Sequence, residues 1–287
     1  MRFVILHYHF LKNAGMTVMD LLHRSFGAGY GTIDTPDHDG HVSTEALLAL
    51  LESNPLLKAV SSHQIRYPLP QVRGFLFFDL CFLRDPVDRV RSTYDYFREK
   101  PAAGDPVSEF ANRLPLGEFI ATLVREMPWY VGDAQVNLLA NGIANDLPSA
   151  QDFDRAVAQM LRTSFLGVVD RVPQSMAAGR HFLRSVFPEM NGAGADAENV
   201  SAKNVTAGLE ATLEARRERV REACDACDPR VYPELLGLNA LDSKLVDLAR
   251  AEVERRFRCA QAGVRLQPDG QQGMSRPLPS PKCAVMT

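Results

Sequence analysis

Four side chains have types and placements suited to holding an anion and moving a proton: Lys12, His63, Arg84 and Ser92. Lys12 leads the turn KNAGMT, where Ala14 and Gly15 are small enough for backbone N–H groups to approach a negatively charged ligand and Thr17 adds a hydroxyl. The turn opens an amphipathic stretch, MTVMDLLHRSF, whose amino end carries partial positive charge if it is helical. In FLRDPVDRVRSTYDYF, Arg84 is followed eight residues later by Ser92, and a planar guanidinium beside a hydroxyl suits a dianionic phosphate monoester. His63, in SSHQIRY, offers an imidazole, whose ordinary pKa of about 6.5 suits it to take a proton from an attacking hydroxyl. Each has a plainer reading in isolation: a solvated lysine on a turn, an Arg84–Asp88 ion pair, a structural histidine.

These residues act together only if a scaffold gathers them. Four short apolar runs read as buried strands: FVILHY, LKAVS, FLFFDLCFL and FLGVVD. Between them MTVMDLLHRSF, TEALLALLES, VDRVRSTYDYFREK, LGEFIATLVREM and FDRAVAQMLR repeat apolar residues at helical spacing. Such alternation predicts an α/β fold with a mainly parallel sheet covered on both faces. Ligands of such sheets sit beyond the carboxyl ends of the strands, and Lys12, His63 and Arg84 each follow one of the apolar runs. The later segments AAGRHFLRSVF, LEATLEARRERVREACDA and LDSKLVDLARAEVERRF also read as helices, the last two packing around the edge of the same domain. Residues 1–261 are expected to form that domain, and residues 262–287, rich in Gly, Pro, Gln and Ser, a disordered tail. MNGAGADAENVSAKNVTAG reads as a loop.

HFLKNAGMTV resembles the 5′-phosphosulfate loop of sulfotransferases, and LRDPVDRVRSTYDYF looks like the 3′-phosphate motif of the same enzymes. The pattern is most similar to the heparan sulfate 2-O/6-O sulfotransferase type. It covers the first hundred residues well and the rest loosely, through DAQVNLLANG, GVVDRVPQSM and LNALDSKLVDLA. The resemblance implies a P-loop NTPase-like three-layer fold and the cofactor 3′-phosphoadenosine 5′-phosphosulfate, which leaves as adenosine 3′,5′-bisphosphate. By position, Lys12, Asn13, Ala14, Gly15, Met16 and Thr17 would hold the phosphosulfate, and Arg84 and Ser92 the 3′-phosphate. Lys12 would also steady the leaving oxygen, and His63 would be the general base toward an acceptor hydroxyl on a carbohydrate or small metabolite. The chain departs from the pattern at Leu11, which replaces a proline, at Ala14, which replaces a glycine, and at Met16, which stands where a small hydroxyl residue is common. His7 and His9 are assigned to packing in or just past the first strand.

Bulk properties narrow the field. Lys and Arg total 32 against 35 acidic residues, so nothing favours the phosphate-backbone attraction of nucleic-acid binders. No apolar run approaches the roughly 20 residues of a membrane span, and no secretory signal opens the chain, which is read as cytoplasmic. Five cysteines argue against a disulfide framework, and Cys224 and Cys227 lack the second pair of a zinc site. Asp34, Asp37, His38, Asp39 and His41 lie close enough in sequence to coordinate a divalent ion, but a polar loop is the preferred reading, and no metal is expected. Trp129 and Tyr130 are read as core, and Gln135 and Asn137 as candidate hydrogen-bonding partners of the acceptor. Two alternatives stand beside the sulfotransferase: a nucleotide-dependent kinase, opposed by the missing Gly-Lys-Ser/Thr ending, and a non-catalytic nucleotide-binding or interaction module.

Overall fold

The computed structural model describes residues 1–36, 40–99, 104–142, 146–191 and 212–263. The N-terminal apolar run becomes β1 (Arg2–Tyr8), buried on both faces because it is the middle strand of a five-stranded parallel sheet. The others are β2 (Tyr30–Thr32), β3 (Ala59–Ser62), β4 (Phe75–Leu83) and β5 (Phe165–Val168), in the order β2-β3-β1-β4-β5. Ile5 stands in register with Ala59 of β3 and Phe78 of β4. Helices cover both faces, as expected of a P-loop-like three-layer α/β fold.

Alternation along β1 sends its side chains to two cores. Ile5, with Leu80 and Phe82 of β4, packs under α1 (Gly15–Phe26) and α9 (Val172–Leu183). Val4 and Leu6 pack on the other face against α2 (Thr44–Ser53), α7 (Ala134–Leu139), α8 (Ala150–Arg162) and α12 (Ala240–Gln261). A third apolar cluster joins α3 (Pro86–Arg98), α4 (Pro106–Arg113), α5 (Leu116–Glu126), α6 (Pro128–Val131), α10 (Leu213–Cys227) and α11 (Val231–Leu238). Because α3 follows β4 directly, this cluster stands at the carboxyl end of the sheet.

The start of α3 is written in the sequence: Asp85 caps it by accepting from the Asp88 N–H, and Pro86 takes the first turn. The four expected strands are present. The fifth, β2, has three residues with a central glycine, too short to show a period. Helices α4, α6, α7 and α11 lie in stretches without an assigned element, although Asp105 and Pro106 give α4 the same start signal as α3. The last long helix differs from expectation in place. Rather than skirting the edge, α12 buries Leu245, Val246, Ala249 and Val253 against the sheet-covering core. The free cysteines Cys81 and Cys224 are buried, Cys227 is exposed, and no described helix is long and apolar enough to cross a membrane. Most of the GADAENVS loop, Cys283 and nearly all of the expected tail lie outside the described residues.

Where α9 crosses β5, Gly179 lies against the Phe165 ring, and an added Cβ would come within 2.3 Å of it. Gly179→Ala is expected to destabilise the protein by about 1–3 kcal/mol, lowering Tm by several degrees in a thermal melt. An unchanged Tm would contradict this packing.

Candidate functional site

In this strand order the chain leaves β1 toward β2 and β3 and later crosses to β4 and β5, so the crevice beyond the carboxyl end of β1 is the topological switch point. A cleft of about 790 Å³ lies there, within the range of small-molecule sites of about 300–1,000 Å³. Lys12, Ala14, Gly15, Met16, Thr17, His63, Arg84 and Ser92 all line it.

Asn13 is the exception. Its side chain turns into the protein, where Nδ2 donates to the Phe82 carbonyl and to Gln135 Oε1, both at 2.8 Å, and its backbone N–H donates to Phe10 O. Asn13 thus pins the loop from beneath instead of facing a ligand. Gln135, expected to meet the acceptor, is itself buried: Oε1 also accepts from the Arg84 N–H at 2.9 Å, while Nε2 donates to Arg84 O at 2.8 Å and to Asp242 Oδ2 at 3.0 Å. One amide therefore ties the end of β4 to the loop after β1. Burial pushes the Asp242 carboxyl pKa up, opposed by Arg89 and by the donors from Gln135 and Val136.

The loop is bent by two left-handed residues, Lys12 at φ 64° and Ala14 at φ 59°. Side chains seldom adopt this conformation, which explains the glycine that the resemblance expects at position 14. The Lys12 carbonyl accepts from Arg84 Nη1 at 2.9 Å, and Lys12 Nζ lies 4.2 Å from the centre of the Tyr96 ring. Gly15 permits a close contact: an added Cβ would fall 1.6 Å from His9 Nε2, so a side chain there would displace the ring.

That contact reveals a histidine assigned to packing. His9 lines the cleft, its ring stacked on His63 at 3.9 Å between centroids and on His7 at 5.2 Å. His7 Nδ1 is hydrogen-bonded to Ser61 Oγ, which also accepts from the Tyr30 hydroxyl. Burial first, then the neighbouring His63 and Lys12, draw the His9 pKa down to about 3, so its imidazole is neutral at ordinary pH. His63 is held by its backbone, whose N–H donates to Asp34 Oδ1 at 2.9 Å, where the Ser62 hydroxyl also donates. Asp34 is therefore a loop brace, and Asp37, His38 and Asp39 lie outside the described residues.

The Arg84–Asp88 ion pair does form, at 2.8 Å, and with the bond to Lys12 it engages two of the five guanidinium donors among the described residues. Asp88 also accepts from Arg216 Nε at 2.8 Å, and although burial works to raise its pKa, the two arginines hold it below the usual carboxylate range. Arg216, on α10 and 128 positions from Asp88, lines the cleft but is one of several arginines in a charged helix, with nothing in the sequence to single it out. Four cationic and four carboxylate side chains line the cleft, so the hold on an anion falls to local groups rather than net charge. Trp129 on α6 does not line it, and Asn137 Nδ2 donates to Asp146 O.

No family model matches the chain. It is similar to an uncharacterized protein of Archaeoglobus fulgidus, 24% identical over 256 residues that span 86% of this chain and 97% of that protein. The likeness thus runs well beyond the segment carrying the two motifs.

Ala14→Gly should stabilise the protein by about 0.5–1 kcal/mol, read as a higher urea midpoint at unchanged m-value, because glycine adopts this conformation without steric cost. A lower midpoint would count against the loop conformation. The depressed His9 pKa predicts a pH dependence. Between about pH 6.5 and 3 the unfolded chain takes up a proton at this residue that the folded chain does not, so its contribution is full above pH 6.5 and is lost on acidification. Against a His9→Asn variant, the wild type should lose relative stability by up to about 1.4 kcal/mol per pH unit below pH 6, and a difference flat with pH would contradict the burial of this ring.

Proposed function

We propose that the cleft binds 3′-phosphoadenosine 5′-phosphosulfate and that the protein is a sulfotransferase acting on an acceptor hydroxyl. The observation that carries this reading is the Arg84 Nη1–Lys12 O bond, which joins the two motifs into one wall, so that groups suited to opposite ends of a bisphosphorylated nucleotide stand at a fixed spacing. The residues present fit such a ligand. The bent loop and the amino end of α1 suit the phosphosulfate, Arg84 and Ser92 suit the 3′-phosphate with Arg216 beside them, and the cleft of about 790 Å³ has room for the nucleotide.

When bound, this cofactor supplies a sulfuryl group that bonds to the acceptor oxygen as its bond to the phosphate oxygen breaks, the electron pair leaving on that oxygen. The chain's own residues do the rest. The Lys12 ammonium lies in the cleft wall against the Tyr96 ring, and a cation there would stabilise the negative charge that develops on the leaving oxygen. His63, on the exposed end of β3, takes the proton of the acceptor hydroxyl, a role worth roughly 10²–10⁴ in rate. Its ring is kept in place by the neutral His9 stacked on it, and its backbone by Asp34.

Thermal melts with adenosine 3′,5′-bisphosphate and with ATP plus magnesium test the reading. Saturation at 100 times Kd adds about 2.7 kcal/mol, so the bisphosphate should raise Tm by several degrees and ATP should not. Equal shifts would favour a kinase, and no shift with either a non-catalytic module. Ser92→Ala should weaken nucleotides carrying the 3′-phosphate by about tenfold, the worth of one hydrogen bond to a charged group, and leave adenosine 5′-phosphosulfate unaffected. His63→Ala should lower turnover by at least about 10² at unchanged bisphosphate affinity, and wild-type turnover would move the base elsewhere.

A further inference from the structure

The strand order also divides the cleft. β1 is central, so the Lys12 loop lies in its middle; Arg84 and Ser92 reach it from the β4 side, and Thr32, Asp34, Ser62 and His63 from the ends of β2 and β3. On the reading above, on which this inference rests, the nucleotide occupies the β1–β4 half. An attacking hydroxyl then enters through the β2–β3 half, where His63 stands.

The walls of that half have their own chemistry. Met16, 56% exposed, and Met19 bring thioethers from α1, which packs over β2 and β3. The stacked imidazoles of His9 and His63 add flat, partly apolar surface. Asp34 adds a carboxylate. The arginines lining the cleft belong to the other half: Arg84 follows β4, Arg171 follows β5, and Arg216 is on α10. Arg66, close to His63 in sequence, directs its guanidinium to the His63 and Ile65 carbonyls and lines a separate hollow. An exposed thioether inside a cleft gains by meeting an apolar ligand surface, and a carboxylate on the wall repels an anionic one.

We infer that the acceptor is an uncharged alcohol or phenol with an apolar surface beside its reacting hydroxyl, not a polyanionic glycan. The departure at Met16 from the small hydroxyl residue of the resembling enzymes has the same basis: it places a soft apolar side chain where the acceptor passes.

Calorimetric titration in two steps tests this. The protein is first saturated with adenosine 3′,5′-bisphosphate and then titrated with 2-naphthol, an uncharged phenol, or with a carboxylate-bearing heparosan oligosaccharide. Naphthol should bind at least about tenfold tighter than the oligosaccharide. Met19→Ser should weaken naphthol by about threefold or more while leaving bisphosphate affinity within about twofold, and Asp34→Asn, whose amide oxygen can still accept from the His63 N–H, should tighten the oligosaccharide. Absence of naphthol binding, or oligosaccharide binding as tight or tighter, overturns the inference while leaving the nucleotide site standing. Failure of the first step overturns the sulfotransferase reading itself, and this inference with it.

Discussion

The hydrogen bond from Arg84 to the Lys12 carbonyl is the interaction on which the rest of the cleft depends. A lysine in the left-handed region costs about 1–2 kcal/mol, and a charge-assisted bond of about 1.5–3 kcal/mol is of the size needed to offset it. Arg84 is itself positioned: Asp88 holds its Nε, and Arg216 holds Asp88 from the far end of the sequence. The loop, Arg84 and α10 are therefore linked through one chain of contacts.

A second support acts from below. Asn13, Gln135 and Asp242 form a buried polar network beneath the same loop, in which Gln135 serves both chain segments at once. The bonds to Phe82, Arg84 and Asp242 hold these side chains in one arrangement, which suits a site whose backbone N–H groups must be aimed before a ligand arrives, although the buried Asn13 Oδ1 has no partner among the described residues. The chain thus uses its less obvious polar residues to hold its obvious ones.

Much of this was legible in the sequence, and the remainder was hidden for identifiable reasons. The apolar runs that became β1, β3, β4 and β5 are long enough to show burial, and Asp85–Pro86 announces α3, so the strand-end positions of Lys12, His63 and Arg84 followed. The three-residue β2 has no period to read. Asn13 sat inside a motif that made it look like a ligand-facing residue, and only its partners at Phe82 and Gln135 reveal that it points inward. Gln135 and Arg216 act through contacts across more than a hundred positions, to Asp242 and Asp88 respectively, which spacing cannot encode. His9 carried a signal that went unused: a glycine at the first position of α1 marks a close approach, and the approaching group is its ring.

The electrostatics are local in the same sense. The chain is weakly acidic as a whole, and the cleft's cations and carboxylates match in number, so selectivity has to come from where a few donors are fixed. A crystal structure of the protein with adenosine 3′,5′-bisphosphate tests that most directly. The 5′-phosphate should lie on the backbone N–H groups of residues 14–17 with Lys12 beside it, and the 3′-phosphate between Arg84 and Ser92. The nucleotide bound outside this cleft, or in it with neither Lys12 nor Arg84 in contact, would contradict the account.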